Sequence, residues 1–355
     1  MKKQFLAVFS LIIVAISCTK KNEDMIQPQT EVITNTTEIT GCASNEVMQA
    51  AIKADPSILE RMNKIEKFTD RVIKESEANS RLLSNGIIEI PIVFNVLYNL
   101  PSENLSDAQL QSQVDALNRD FAATNDEYRW AFNEWYSSKY VAYQFRNQKA
   151  GNTGIKFVLK AINKKYTTKA FWNVDTETNF MKSIDNGGIN ATSPTNTLNI
   201  WVCNLSGNTL GYAYYPGGVP SSIDGIVLDP QATGTIASSA LDSRYNMGRT
   251  AVHEVGHWLN LRHIWGDSNC GSDLVDDTPV HNEANFGTRN YYYYHGDYLK
   301  RLNHYSTCSG KPLEMTMNYM DYTNDAYKFM FSAGQRNRMK ATFAAGGPRN
   351  SFAQP

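Results

Sequence analysis

Eleven residues, His253-Glu254-Val255-Gly256-His257-Trp258-Leu259-Asn260-Leu261-Arg262-His263, carry three imidazoles and one carboxylate at spacings that suit a catalytic zinc ion. On a helix, His253 and His257 stand one turn apart on one face, so both ring nitrogens can reach a single metal at about 2.0 to 2.1 Å. Glu254 flanks that metal. It can take a proton from a water that the ion acidifies to a pKa of roughly 7, then return it to a leaving amine. Six more residues of helix would turn His263 away, so the helix must break after His257. Asn260 is the natural break, being the non-glycine type that accepts left-handed backbone most readily. A structural zinc site is usually closed by four protein ligands, and this one offers three. That favours hydrolysis of peptide bonds over the competing class, a surface-anchored zinc or calcium protein with a binding role and no hydrolytic activity.

Other elements must position these groups. Lys2 and Lys3, the apolar stretch Phe5 to Ile16 and then Ser17-Cys18 read as an export signal too short to span a membrane. The Ser17-Cys18 pair resembles a bacterial lipobox, in which Cys18 would be lipidated. Ala15 is an unusual third position upstream, so ordinary signal cleavage stays open. Lipidation would make residues 1–18 the signal and the polar run Thr19 to Thr40 a tether. It would leave an outer-membrane or cell-surface lipoprotein whose only membrane contact is that lipid, and simple cleavage would leave a secreted protein. The 34 basic and 35 acidic residues give a net charge of -1 without a long basic run, so nothing suggests a nucleic-acid groove. A 42% hydrophobic content over 355 residues is enough for a substantial core. Oligomeric state and the role of Tyr291 to Tyr294 have no signature.

From Cys42 to about Ser84 the sequence reads as helical, with Ile58, Met62, Ile65 and Phe68 at helical spacing. Lys74 and Arg81 are basic sites for removal of this segment in an exposed linker. Gly86 starts a different pattern. Ile87 to Val96 is a β-rich run in which Pro91 indicates an edge or early strand position. Ser106 with Gln109 forms a capping box opening a helix through Phe121. Ile155 to Ala161, the apolar run Leu198 to Cys203, Gly211 to Tyr215 and Ile226 to Leu228 read as strands. The zinc helix starts near Gly248, and Ser332 with Gln335 opens a last helix. The layout is mixed α/β (α+β), with a boundary near residue 85.

The zinc segment, with Gly248-Arg249-Thr250 before it and Asn318-Tyr319-Met320-Asp321-Tyr322 beyond, resembles the metzincin clan of zinc endopeptidases. Within that clan it resembles the pappalysin family and its bacterial ulilysin- and mirolysin-like members. Ile90 to Tyr98, Ser106 to Phe121, and Leu198 to Val202 with Leu210-Gly211-Tyr212-Ala213 extend the likeness, which covers about Cys42 to Phe352. The resemblance implies a latent precursor: a pro-segment within residues 19–85, then a catalytic domain 86–355 with subdomains 86–260 and 261–355. Its fold would be zincin-like, with a twisted, mostly parallel sheet, an active-site helix, a methionine turn and a C-terminal helix. Met320 would be the hydrophobic floor and Tyr322 the oxyanion partner. Protein or peptide substrates would add as an extended strand along Leu210 to Tyr214. Family members often favour a basic residue just after the scissile bond, but the sequence reveals no pocket carboxylate. Where the family usually has glycine, this chain has Asn260, at a backbone cost on the order of 1 kcal/mol.

The resemblance also implies a Cys270–Cys308 disulfide, while a second one is missing where Thr288 and Tyr327 stand. Cys203 reads as a buried thiol. The context of Cys42 looks like family pro-segments in which a thiolate fills the open zinc position; a Cys42–Cys203 disulfide or a spare thiol is the alternative. Asp273, Asp276, Asp277 and Thr278 offer oxygen donors for Ca²⁺. Composition alone fits a solvated acidic turn, and the resemblance favours calcium.

Overall fold

Ile200, Trp201 and Val202 point alternately to opposite faces of one sheet, and both faces are covered, which is why the run Leu198 to Cys203 is apolar throughout. The computed structural model describes residues 41–78, 86–133, 141–287 and 304–353, all within one compact unit, Glu38–Pro355. The export signal with Cys18, the tether, Arg81, Thr288 and Tyr291 to Tyr294 lie outside the described residues.

The sheet has the order β1-β5-β6-β4-β2-β3. Its strands are β1 (Gly41–Cys42), β2 (Ile88–Tyr98), β3 (Ile155–Tyr166), β4 (Leu198–Val202), β5 (Thr209–Ala213) and β6 (Ile226–Leu228). Strands β3, β2, β4 and β6 are parallel, β5 is antiparallel to β6, and β1 runs parallel to β5. Pro91 lies in β2, a central strand, but pairing with β4 begins only at Ile92, so the proline sits where that side of the ladder has not yet started. The fifth strand is Thr209–Ala213, two residues earlier than the sequence suggests at each end, because its ladder with β6 closes at Ala213.

One face packs on α3 (Asp107–Phe121) and α5 (Arg249–Trp258), joining Phe94, Ile200 and Leu228 to Leu117, Val252 and Met320. Ser106 caps α3 by accepting from Gln109 N at 3.1 Å, as the local Ser-x-x-Gln spacing requires. The other face, with Trp201, Tyr212 and Val227, is covered by α1 (Ser44–Ala54) and α2 (Ser57–Ala78) through Val47, Met48, Ile58 and Met62. Each of these four side chains contributes on the order of 1.5–3 kcal/mol of burial, which holds an N-terminal segment that could not fold alone. Two expectations for that segment need correction. Cys42 lies in a short strand rather than a helix, and Lys74 lies inside α2 rather than in a linker. The helical repeat simply continues: Thr69 and Val72 are buried one turn and two turns beyond Ile65.

After α5 the described residues are largely irregular up to α6 (Ala333–Ala341). That helix opens with the Ser332–Gln335 capping box. Between them β7 (Phe286–Gly287) pairs β8 (Tyr322–Thr323), and Cys270–Cys308 is a disulfide closing 38 residues. Cys42 and Cys203 are separate buried thiols, so the alternative disulfide between them does not form. Among the described residues no helix is long and apolar enough to cross a membrane.

Candidate metal centre and active site

Helix α5 starts at Gly248, whose φ of 74° is left-handed, and ends in a Schellman turn. Leu261 N donates to Gly256 O at 2.9 Å, Asn260 N donates to His257 O at 2.9 Å, and Asn260 takes φ 73°. The turn reverses the chain and returns His263 to the helix face. Gly256 has a separate reason to lack a side chain: a Cβ there would lie 2.5 Å from Met320 Sδ, which is how closely the thioether sits beneath the helix.

Three imidazoles converge. His257 Nε2 lies 3.0 Å from His253 Nε2 and 3.1 Å from His263 Nε2. Each Nδ1 faces a hydrogen-bond acceptor: Tyr319 O at 2.7 Å for His253, Leu261 O at 2.8 Å for His257, and Asp267 Oδ1 at 2.5 Å for His263. Acceptors at Nδ1 put the protons there and leave three Nε2 lone pairs aimed at one point. Burial, and after it the neighbouring imidazoles, hold His253 and His257 well below the usual histidine range, so both rings are neutral. Converging lone pairs repel one another unless a cation stands between them. The donor set therefore fits zinc.

Around this centre lie the other groups. Cys42 Sγ shares the cluster, whose ligand atoms all fall within 4.8 Å of one another. Glu254 Oε2 accepts from Ser44 Oγ at 3.0 Å, and Cys42 Sγ lies 3.4 Å from it; among the described residues Glu254 Oε1 has no partner. Burial pushes Glu254 up to about 8. Burial, then the Glu254 charge, pushes the Cys42 thiol up, a direction that a cation at the three nitrogens would oppose. Tyr322 Oη stands 3.0 Å from His263 Nε2 and donates to Cys42 O at 2.9 Å. Burial, with Cys42 and Glu254 nearby, raises its phenol well above the tyrosine value, so it stays a donor. Beyond Cys42, a cavity of about 580 Å³ continues along Glu46, Asp175, Trp265 and Asp267.

Sequence reasoning missed Asp267, although a carboxylate four residues after a third ligand is a readable signal. It also missed Trp265, which stacks on His263 at 4.4 Å, and Ser44. Of the calcium candidates, Thr278 Oγ1 lies 3.0 and 2.9 Å from the two oxygens of Asp273, and Asp276 is exposed. Asp277 is turned to another task, accepting from Ser332 Oγ and Gly334 N at the start of α6.

A family model described as Peptidase_M43, Pregnancy-associated plasma protein-A, matches residues 190–344. An extracellular metalloprotease of Pyricularia oryzae is 32% identical over 246 residues, 68% of this chain and 68% of that relative. The chain belongs to this family. It is a metallopeptidase with the metzincin fold, of the pappalysin and mirolysin kind. A promirolysin mutant from Tannerella forsythia is 33% identical with a TM-score of 0.71, covering 88% of this metallopeptidase and 97% of that chain. Mature mirolysin from the same organism, in complex with a cleaved peptide, is 34% identical with a TM-score of 0.64, covering 76% and 96%.

Proposed function

We propose that this metallopeptidase is an exported zinc endopeptidase made as a latent precursor. The observation that carries the reading is the convergence of three imidazole Nε2 atoms with Glu254 beside them and a single thiol facing the remaining position. His253, His257 and His263 would hold the zinc. When bound, zinc supplies Lewis acidity, polarising the scissile carbonyl and acidifying water. Glu254 takes the proton of the attacking water and delivers it to the leaving amine. Tyr322 would donate a hydrogen bond from its hydroxyl to the oxyanion of the tetrahedral intermediate. Asp267 and the carbonyls of Tyr319 and Leu261 fix the imidazole tautomers, and Met320 floors the site.

Latency follows from four neighbouring contacts of Gly41 to Ser44. Strand β1 lies on the edge of β5, where Ala43 N donates to Gly211 O at 3.0 Å; this is the edge a substrate strand would need. Cys42 offers the fourth ligand, its carbonyl takes the Tyr322 hydroxyl, and Ser44 holds Glu254. We read residues 41–78 as part of an inhibitory pro-segment within 19–85, followed by the catalytic domain 86–355 with subdomains 86–260 and 261–355. The more extensive coverage by the promirolysin structure than by the mature one supports this division. Export rests on the signal-like N-terminus and the extracellular naming of the relatives, and Cys18 would carry the lipid of a surface lipoprotein. The Asp273–Thr278 turn is proposed to hold Ca²⁺ with Asp273, Asp276 and Thr278 as donors. Burial pushes Asp273 up to about 7, a cost that a cation would relieve.

The test is metal dependence. One zinc per chain by mass spectrometry, cleavage abolished by a zinc chelator and restored by equimolar zinc is the expected result. Cleavage that survives complete zinc removal would overturn the reading.

A further inference from the structure

Two arginines from different elements meet on one carboxylate. Glu66 of α2 accepts through Oε1 from Arg262 Nη2 at 3.2 Å and through Oε2 from Arg338 Nη2 of α6. Among the described residues it is the only carboxylate ion-paired with either arginine. Neither guanidinium depends on α2 for its place. Arg262 lies over the Tyr215 ring, 3.9 Å from its centroid, and Tyr215 in turn packs edge-on against His257. Arg338, only 1% exposed, donates from Nε at 2.7 Å to the carbonyl of Asn260, the residue that turns the chain back to His263. Its Nη1 is buried without a partner among the described residues. Arg338 also lines a cavity of about 330 Å³ that runs between Asp70 and Lys74 of α2 and Asp277 at the start of α6.

Two guanidinium groups fixed side by side make a fork for one carboxylate, each oxygen taking one planar donor. The anchors, Tyr215 and Asn260, lie outside α2, so the fork persists when α2 leaves. Loss of Glu66 then sets two cations against each other, a repulsion that an entering carboxylate relieves. Asp273 feels the Arg338 charge without pairing with it, and its oxygens are taken by Thr278.

We propose that Arg262 and Arg338 form a carboxylate-binding site of the catalytic domain, filled by Glu66 in the full chain and opened to an acidic peptide side chain when α2 leaves. Glu66 itself shows the ligand that the geometry accepts. Only the opening rests on the reading of residues 41–78 as a removable pro-segment; the receptor is present in the full chain.

Chemical rescue in the full chain tests the receptor. Glu66→Ala deletes the carboxylate but leaves its space beside the cavity, so its Tm should fall. Acetate at ten times its half-saturating concentration, with ionic strength held constant by chloride, should shift folding about 10-fold back toward the native state. Wild type and Glu66→Ala/Arg338→Met should respond to acetate no more than to chloride. Acetate acting equally on all three overturns the proposal. Binding gives a second readout that needs no Glu66→Ala protein. With its N-terminal segment cut away by an added protease, the wild type should bind a synthetic peptide of residues 57–78 at least about 10-fold more tightly than the Glu66→Gln peptide, and Arg262→Met should remove the difference. Acetate that displaces the Glu66 peptide shows that free carboxylates share the site; a peptide that acetate cannot displace shows that the peptide context adds to the fork, and both results support the receptor. Equal binding of the two peptides overturns it. Acetate rescue in a chain whose active form retains α2 would refute the pro-segment reading and leave the receptor standing.

Discussion

Cys42 Sγ lies 3.4 Å from Glu254 Oε2, the oxygen that also accepts from Ser44 Oγ at 3.0 Å. The thiol that faces the three imidazoles is thus held by the side chain proposed to act as base. Ligand position and base are covered by residues two apart, and neither can be freed without moving the other.

Replacing Cys42 by Ala should therefore give premature activity in the full-length precursor. The rise should be at least about 10-fold, the equivalent of about 1.4 kcal/mol of lost inhibition. It should remain below mature activity, because Ser44 still holds Glu254 and β1 still occupies β5. Assay of freshly purified precursor on a quenched peptide checks this. A mutant as latent as the wild type would sink the thiol switch.

Tyr322→Phe removes a hydroxyl that reaches both His263 Nε2 and the Cys42 carbonyl. Loss of a single oxyanion donor predicts a fall in kcat of about 100-fold. KM should change little, because the donor matters most as charge develops. Steady-state kinetics of the mature enzyme decides it, and an unchanged kcat would remove Tyr322 from the chemistry.

Asn260 has a double role that predicts opposite effects in two forms of the chain. Its left-handed backbone costs on the order of 1 kcal/mol relative to glycine, so Asn260→Gly should raise the Tm of the mature enzyme. Its side chain also docks α2, in the proposed pro-segment, reaching Thr69 Oγ1 at 3.4 Å or, with the amide turned, Glu66 Oε1 at 3.3 Å. The precursor should gain less stability or none. Thermal unfolding of both forms is the measurement, and equal gains would remove the docking role.

These contacts mark where the sequence was legible. The three proposed zinc ligands lie within eleven residues on one helix and the chain just past its Schellman turn, and the caps at Ser106 and Ser332 are four-residue patterns, so local spacing was sufficient for all of them. The partners brought in from a distance left no local trace. Strand β1 meets β5 across about 170 residues of chain. Glu66 of α2 pairs with Arg262 and Arg338, which flank the turn from two other elements. Lys74 was misread because a linker was expected where the apolar repeat of α2 still had two turns to run.

Selective removal of calcium, with zinc retained, should lower both Tm and activity, and Thr278→Val should weaken the calcium response. Titration of calcium into the chelated enzyme while zinc content is monitored provides the check. Activity and Tm that ignore calcium would leave Asp273 and Thr278 as a hydrogen-bonded turn only.

The chemistry itself is tested most directly by comparing the activated wild type with Glu254→Ala on one mixed peptide library, with zinc content measured in both. A zinc endopeptidase that uses Glu254 as its base cleaves the library only as wild type, while both proteins hold one zinc. Equal absence of cleavage with zinc bound in both would mean a binding protein and contradict the assignment, and equal cleavage would take Glu254 out of the mechanism.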